Sequence, residues 1–180
     1  MKKVLIGGIG NVLLGDDGVG PYAARLLAAN HDFARGVEVA DLGTPALDLI
    51  DQLAGRDAVI LIDSVKAEAA PGTVLLYRKE DICRHSPQVR MDPHAPALVE
   101  VLLSAELFGI APPDVLLVGI VGESYEVGCS LSAAVSASLV RAVMAVLDEL
   151  DRLHVEHRCR THPGETGIWW ANAPEPVAVA

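Results

Sequence analysis

Two adjacent carboxylates, Asp16 and Asp17, stand in a glycine-rich run, Gly7-Gly8-Ile9-Gly10-Asn11-Val12-Leu13-Leu14-Gly15-Asp16-Asp17-Gly18-Val19-Gly20. Glycine-rich turns often cradle phosphates, but this one has the wrong companions. A dinucleotide fingerprint starting at Gly8 needs its third glycine where Leu13 stands. Gly10 and Gly15 have the spacing of a phosphate loop, yet Asp16-Asp17 replace the Lys and Ser or Thr that such a loop requires. Two carboxylates repel a phosphate, so nucleotide binding is disfavoured. The pair offers instead a helix cap or a cation site. Capping contributes about 0.5–2 kcal/mol for one residue and accounts for one aspartate, not two.

Two further residues bear on the cation reading. Asp63 closes the apolar run Ala58-Val59-Ile60-Leu61-Ile62, and His94 stands in Met91-Asp92-Pro93-His94, just before a helical stretch. Singly, Asp63 reads as a turn or cap residue and His94 as an ordinary loop residue. Together with Asp17 they make two carboxylates and one imidazole with positions open to water, a set suited to a borderline divalent metal. Carboxylates held close in a cleft need a shared proton or a bound cation.

The elements that must bring them together follow from hydrophobic periodicity. Val4-Leu5-Ile6 reads as a short buried strand running into the glycine-rich turn. Residues 18–30 carry Val19, Tyr22, Ala23, Leu26 and Leu27 as a helical stripe, and Pro21 is tolerated only in that helix's first turn. Strands are expected at 37–41, 58–63, 73–78 and 115–121, and helices at 45–53, 95–108 and 131–153. The run at 58–63 is apolar on both faces and belongs in the middle of a parallel sheet. This alternation predicts an α/β fold: one doubly wound, mostly parallel twisted sheet with helices on both faces. Ligands of such sheets bind beyond the carboxyl ends of the strands, where strand order reverses. In the common 2-1-3 order the first and third strands are neighbours, which would set Asp17 and Asp63 facing each other across that crevice.

The chain of 180 residues, 51% apolar and 4% aromatic, supports one domain with an aliphatic core. Its formal net charge of −10 argues against nucleic acid and anionic membrane as partners. Mean hydropathy is high, +0.35, but the longest charge-free stretch, Val127 to Val140, is 14 residues with four serines. That is too short and too polar to cross a bilayer. The opening Met1-Lys2-Lys3 leads into no extended apolar region or cleavage site, so no signal peptide is expected. Cys83, Cys129 and Cys159, odd in number and widely spaced, form no disulfide framework and fit a reducing cytoplasm.

Gly8-Ile9-Gly10-Asn11 followed by Leu14-Gly15-Asp16-Asp17-Gly18-Val19-Gly20 resembles the opening of the hydrogenase maturation endopeptidases. Asp41-Leu42-Gly43-Thr44, the strand ending in Asp63, and Gly119 followed by Ser124, Gly128 and Leu131-Ser132 agree in order and spacing. The similarity covers about residues 3 to 150. It implies a cytoplasmic endopeptidase that removes a short C-terminal extension from the precursor of a nickel-iron hydrogenase large subunit after nickel insertion. The family's metal-contacting residues carry over to Asp17, Asp63 and His94, with His85 as a fallback ligand. The nickel would be presented by the substrate rather than held tightly by the free enzyme, which is expected to act as a monomer. A divalent cation there can polarise the scissile carbonyl and activate a water, and Asp16 or Asp41 could orient that water or a ligand. No Ser-His-Asp or Cys-His set can be assembled.

Two rival readings remain open on sequence. One is a non-catalytic α/β module that recognises a metal centre or a protein C-terminus; the other is a flavin or nucleotide binder. Residues 1–154 read as the α/β endopeptidase domain and 155–180 as a C-terminal tail or arm. Within that segment His157 to Ala180 has lost all periodicity. His154, His157, Cys159 and His162 have a density that can bind nickel or zinc. The arginines Arg152, Arg158 and Arg160 oppose a cation, so an unstructured, metal-free tail is expected. Trp169-Trp170 would dock on the domain or on a partner.

Overall fold

The computed structural model describes residues 1–85, 88–89, 98–168 and 170. A six-stranded sheet lies at its centre. Strands β1 (Val4–Ile9), β3 (Val37–Gly43), β4 (Ala58–Lys66) and β7 (Asp114–Val121) are parallel, in the order β3-β1-β4-β7. Strand β5 (Val74–Arg78) closes the far edge antiparallel to β7, and the short β6 (Gln88–Val89) pairs antiparallel with the end of β4. The strand that carries Asp63 is thus β1's direct neighbour, the 2-1-3 arrangement expected for the first three strands of the wound sheet.

Both faces of the sheet are covered, which explains why β1, β4 and β7 are apolar at consecutive positions rather than alternate ones. Val4, Ile6, Ile60, Ile62, Leu116 and Val118 point to one side, against α1 (Val19–Asn30) and α5 (Ala133–Arg152). Leu5, Val59, Leu61, Val65, Val115 and Leu117 point to the other. There they meet α2 (Leu49–Leu53), α3 (Lys79–His85) and α4 (Leu98–Leu107). The long helix α5 starts one residue after Ser132, whose hydroxyl caps it by accepting a hydrogen bond from the Val135 N–H at 3.3 Å. The helix expected over 45–53 is shorter than its sequence suggests: Ala46–Asp48 is a 3-10 turn, and regular α-helix is confined to α2. Proline at 45 and a positive φ of 47° at Ala46 break the start of that helix.

Part of the segment expected to be unstructured is built onto the domain. Strand β8 (His157–Cys159) pairs antiparallel with β2 (His31–Phe33), which follows α1 directly, and Trp170 is buried. The ion pairs from Arg158 and Arg160 to Asp32 tie the two strands together. No helix among the described residues is long and apolar enough to cross a membrane.

Candidate active site

The acidic loop leaves β1 at its carboxyl end and passes through a 3-10 turn, Gly15–Gly18, before α1 begins. Glycine is required twice along it. Gly10 has a φ of 135°, and a Cβ there would collide with the Asp17 carbonyl. Gly20 packs so closely on the carbonyls of Ile9 and Ile62 that any side chain would push α1 off β1 and β4. These two contacts press the start of α1, and with it Asp17, onto the end of β4.

Asp16 and Asp17 are both buried, and their surroundings give them different work. Asp16 Oδ2 accepts hydrogen bonds from the Glu123 and Ser124 N–H groups at 2.8 and 3.0 Å, and Oδ1 accepts one from the Ser132 N–H at 2.7 Å. The backbone adds to this staple: Asp16 N–H donates to Ser124 O at 2.9 Å and Gly15 N–H to Gly128 O at 2.8 Å. Ser124, Gly128 and Ser132, three of the positions that carry the family resemblance, are therefore where the acidic loop is fastened to the β7–α5 connection. With its two oxygens accepting from three backbone donors, Asp16 fastens the acidic loop. Neither aspartate caps a helix: no side-chain cap hydrogen bond is formed at the 3-10 turn or at α1.

Asp17 reaches the crevice. Its Oδ2 accepts from the Asn11 N–H at 2.9 Å, and its Oδ1 accepts from the Ser64 hydroxyl at 3.2 Å. The next residue back on β4 is Asp63, 1% exposed, whose Oδ1 accepts from the Ser64 N–H at 2.7 Å. Its Oδ2 is buried and has no hydrogen-bond partner among the described residues. Burial first, and then the charge of Asp17, push the Asp63 carboxyl well above its ordinary value of 3.8; the Ser64 N–H opposes this. A buried carboxylate oxygen without a donor, beside a second carboxylate, is an arrangement that a cation would relieve.

Of the three residues singled out from sequence, Asp17 and Asp63 are joined through Ser64, which spans them with its hydroxyl on one and its N–H on the other. His94 lies outside the described residues, and the side chain of His85 likewise. Asp41, at the end of β3, accepts from the Gly43 N–H at 3.1 Å and faces Arg25 at 3.4 Å. Among the described residues no group of three His, Cys, Asp or Glu side chains is set to hold a metal ion, the tail histidines included. His157 pairs instead with Asp151 at 3.0 Å. Sequence reasoning missed Ser64; its only signal was a small hydroxyl directly after the aspartate that closes an apolar run, and both lie inside β4.

Sheet order and buried carboxylates together define a doubly wound α/β protein with a pair of buried aspartates where its strand order reverses. Comparison with known proteins places it further. Residues 21–149 match the HycI family model, described as hydrogenase maturation protease. The hydrogenase expression/formation protein HoxM of Azotobacter vinelandii is 33% identical over 178 residues, covering 98% of this chain and 84% of that protein. The hydrogenase 2 maturation protease of Escherichia coli K12 is 31% identical over 155 residues, covering 86% of this chain and 94% of its own. Among solved structures, the hydrogenase maturating endopeptidase HybD from E. coli superposes with a TM-score of 0.82 at 31% identity, over 89% of this chain and 99% of that one. The chain belongs to the hydrogenase maturation protease family, and its activity is that of an endopeptidase.

Proposed function

We propose that this protein removes the C-terminal extension of a nickel-iron hydrogenase large-subunit precursor once nickel has been inserted. It works in the cytoplasm as a monomer, on a precursor that carries the metal. The observation that carries the reading is the Asp63 Oδ2 atom, buried beside Asp17 without a donor among the described residues. A protein keeps such a group where a ligand supplies what the fold withholds. Asp17, Asp63 and His94 are the residues that would meet nickel held in the precursor's own metal site.

The residues of this chain then have separable roles. Asp17 is held from two sides, by the Asn11 N–H and the Ser64 hydroxyl, so its carboxylate is positioned before substrate arrives. Asp63 is held by one oxygen and offers the other. Burial and then the charge of Asp17 raise Asp63, and a divalent cation held by the pair would favour the ionised form of both. The cation supplies Lewis acidity toward the scissile carbonyl and a water of lowered pKa. Because the metal arrives with the precursor, an unloaded precursor presents nothing for the pair to grip, and cleavage waits for nickel insertion.

Purified protein mixed with nickel-loaded precursor shortens the precursor by its C-terminal segment; precursor without nickel stays intact. Asp17→Asn and Asp63→Asn each reduce cleavage on the order of a thousandfold, the scale of several kcal/mol of lost charge stabilisation. Electrophoresis and mass measurement of the product follow the reaction. Full processing by both variants would remove the metal-reading role from these side chains.

A further inference from the structure

The C-terminal arm runs back along α1 from its end toward its beginning, where the site lies. His157 pairs with Phe33, the Arg160 N–H donates to Asn30 O at 2.7 Å, and the Gly164 N–H donates to Ala29 O at 2.8 Å. Two arginines of the arm, Arg158 and Arg160, hold Asp32 at 3.0 and 2.8 Å. At the upper end Trp170 packs edge-to-face on Tyr22, with ring centroids 5.6 Å apart, and lies 5.8 Å from the Arg25 guanidinium carbon. Only 2% of this large side chain is exposed. Tyr22 in turn donates to Cys129 O at 3.0 Å, in the stretch that also fastens the acidic loop.

Trp170 does more at this place than plug a gap. It forms one wall of an open cleft of about 260 Å³, whose other sides come from the loop after β1 (Gly10, Asn11) and the end of β3 (Asp41, Thr44). The cleft neighbours the carboxylate site through Asn11, which lines it and donates its N–H to Asp17. Its chemistry is mixed. The indole gives an apolar wall, and Arg25 lines the space with a buried Nε that has no hydrogen-bond partner among the described residues. The same guanidinium makes only a long 3.4 Å contact to Asp41, so it retains donor capacity.

We propose that the arm completes the substrate cleft, with Trp170 as a positioning residue for the precursor segment that adjoins the scissile bond. That segment lies extended, with a carbonyl or carboxylate oxygen at Arg25, whose guanidinium the buried indole holds in place. The inference rests on the endopeptidase reading above and adds to it the wall that sets where the polypeptide lies. An aromatic wall acts on binding of the chain rather than on the bond-breaking step, so its loss falls on KM.

The test measures KM and kcat separately for wild type, Trp170→Ala, Trp170→Phe and Asp32→Ala on nickel-loaded precursor, with thermal melting of each variant. Trp170→Ala raises KM about tenfold, the equivalent of one lost aromatic contact, and leaves kcat within about twofold. Trp170→Phe restores most of the binding. Asp32→Ala, which loosens the arm at its far end, raises KM by a smaller factor of about three. A folded Trp170→Ala protein with wild-type KM, or a loss confined to kcat, overturns the inference while leaving the endopeptidase reading intact. Should Trp170→Ala not fold, Asp32→Ala decides by the same split, and an unchanged KM there overturns the inference. Wild-type protein that cleaves no nickel-loaded precursor overturns the function itself, and the inference with it.

Discussion

Asp16 and Asp63 are both buried carboxylates, 0% and 1% exposed, yet the fold treats them in opposite ways. Around Asp16 it places three backbone N–H donors within 3.0 Å, drawn from the loop after β7 and the residue that caps α5. Around Asp63 it places one donor, leaves the second oxygen bare among the described residues, and sets Asp17 alongside. The first carboxylate is satisfied by protein and holds loops together. The second is left unsatisfied, a condition that costs stability and is kept where something else completes the site. Asp17, one residue after the staple, is delivered to the crevice because its neighbour is anchored.

If this contrast is right, stability and activity separate between the carboxylates. The activity losses expected for Asp17→Asn and Asp63→Asn are the largest effects. Next comes Asp16→Ala, which strands three N–H groups in partly buried positions and costs about 3 kcal/mol of folding stability, at about 1 kcal/mol or more per unsatisfied donor. Denaturant unfolding measures it. Should Asp16→Ala unfold no more easily than Asp17→Asn, the staple is not what holds the loop.

The contrast also has a pH signature. Asp63 has a folded-state pKa raised above its ordinary 3.8, so the folded state prefers it neutral. Below that ordinary value it is protonated whether the chain is folded or not, and it carries no penalty. As pH rises from 3.8 through the folded pKa, the unfolded chain ionises first and wild type loses stability. Asp63→Asn, neutral throughout, escapes that loss. Melting temperatures taken across pH, without added metal, therefore show the variant gaining on wild type as pH rises from about 4 to the folded pKa of Asp63, with a constant gap above it and none below about pH 4. A gap that does not depend on pH would mean that Asp63 is not a destabilising ionised group.

What the sequence discloses and what it hides divides along the same line. The apolar runs at 58–63 and 115–121 disclose central strands, because burial on both faces writes itself into consecutive residues. The apolar run places Asp63 on a central strand, although that strand continues to Lys66 instead of closing at Asp63 as expected, and the glycine-rich turn puts Asp17 near it. The role of Asp16 is hidden, because its three donors lie 107, 108 and 116 residues away and no local pattern encodes them. The arm is hidden for a similar reason. Strand β8 is three residues long, too short for an alternation to register, and its partner β2 is 126 residues earlier at the level of Asp32 and Arg158. Edge strand β5 reads as a strand, but nothing in Val74–Arg78 announces that it runs antiparallel.

Ser64 offers the finest test of how the two site carboxylates are joined. Its hydroxyl donates to Asp17 at 3.2 Å, while its backbone N–H, which no substitution except proline removes, donates to Asp63 at 2.7 Å. Ser64→Ala therefore removes one hydrogen bond from Asp17, which keeps its Asn11 N–H bond, and leaves Asp63 held as before. A single hydrogen bond to a charged group is worth about 1.5–3 kcal/mol where nothing replaces it, and less where a cation takes its place. Cleavage of nickel-loaded precursor should accordingly fall by about three- to tenfold, far short of the loss expected for Asp17→Asn. If Ser64→Ala proved as inactive as Asp17→Asn while remaining folded, the hydroxyl would belong to the reacting groups themselves, and the pair of aspartates would have to be redrawn as a set of three.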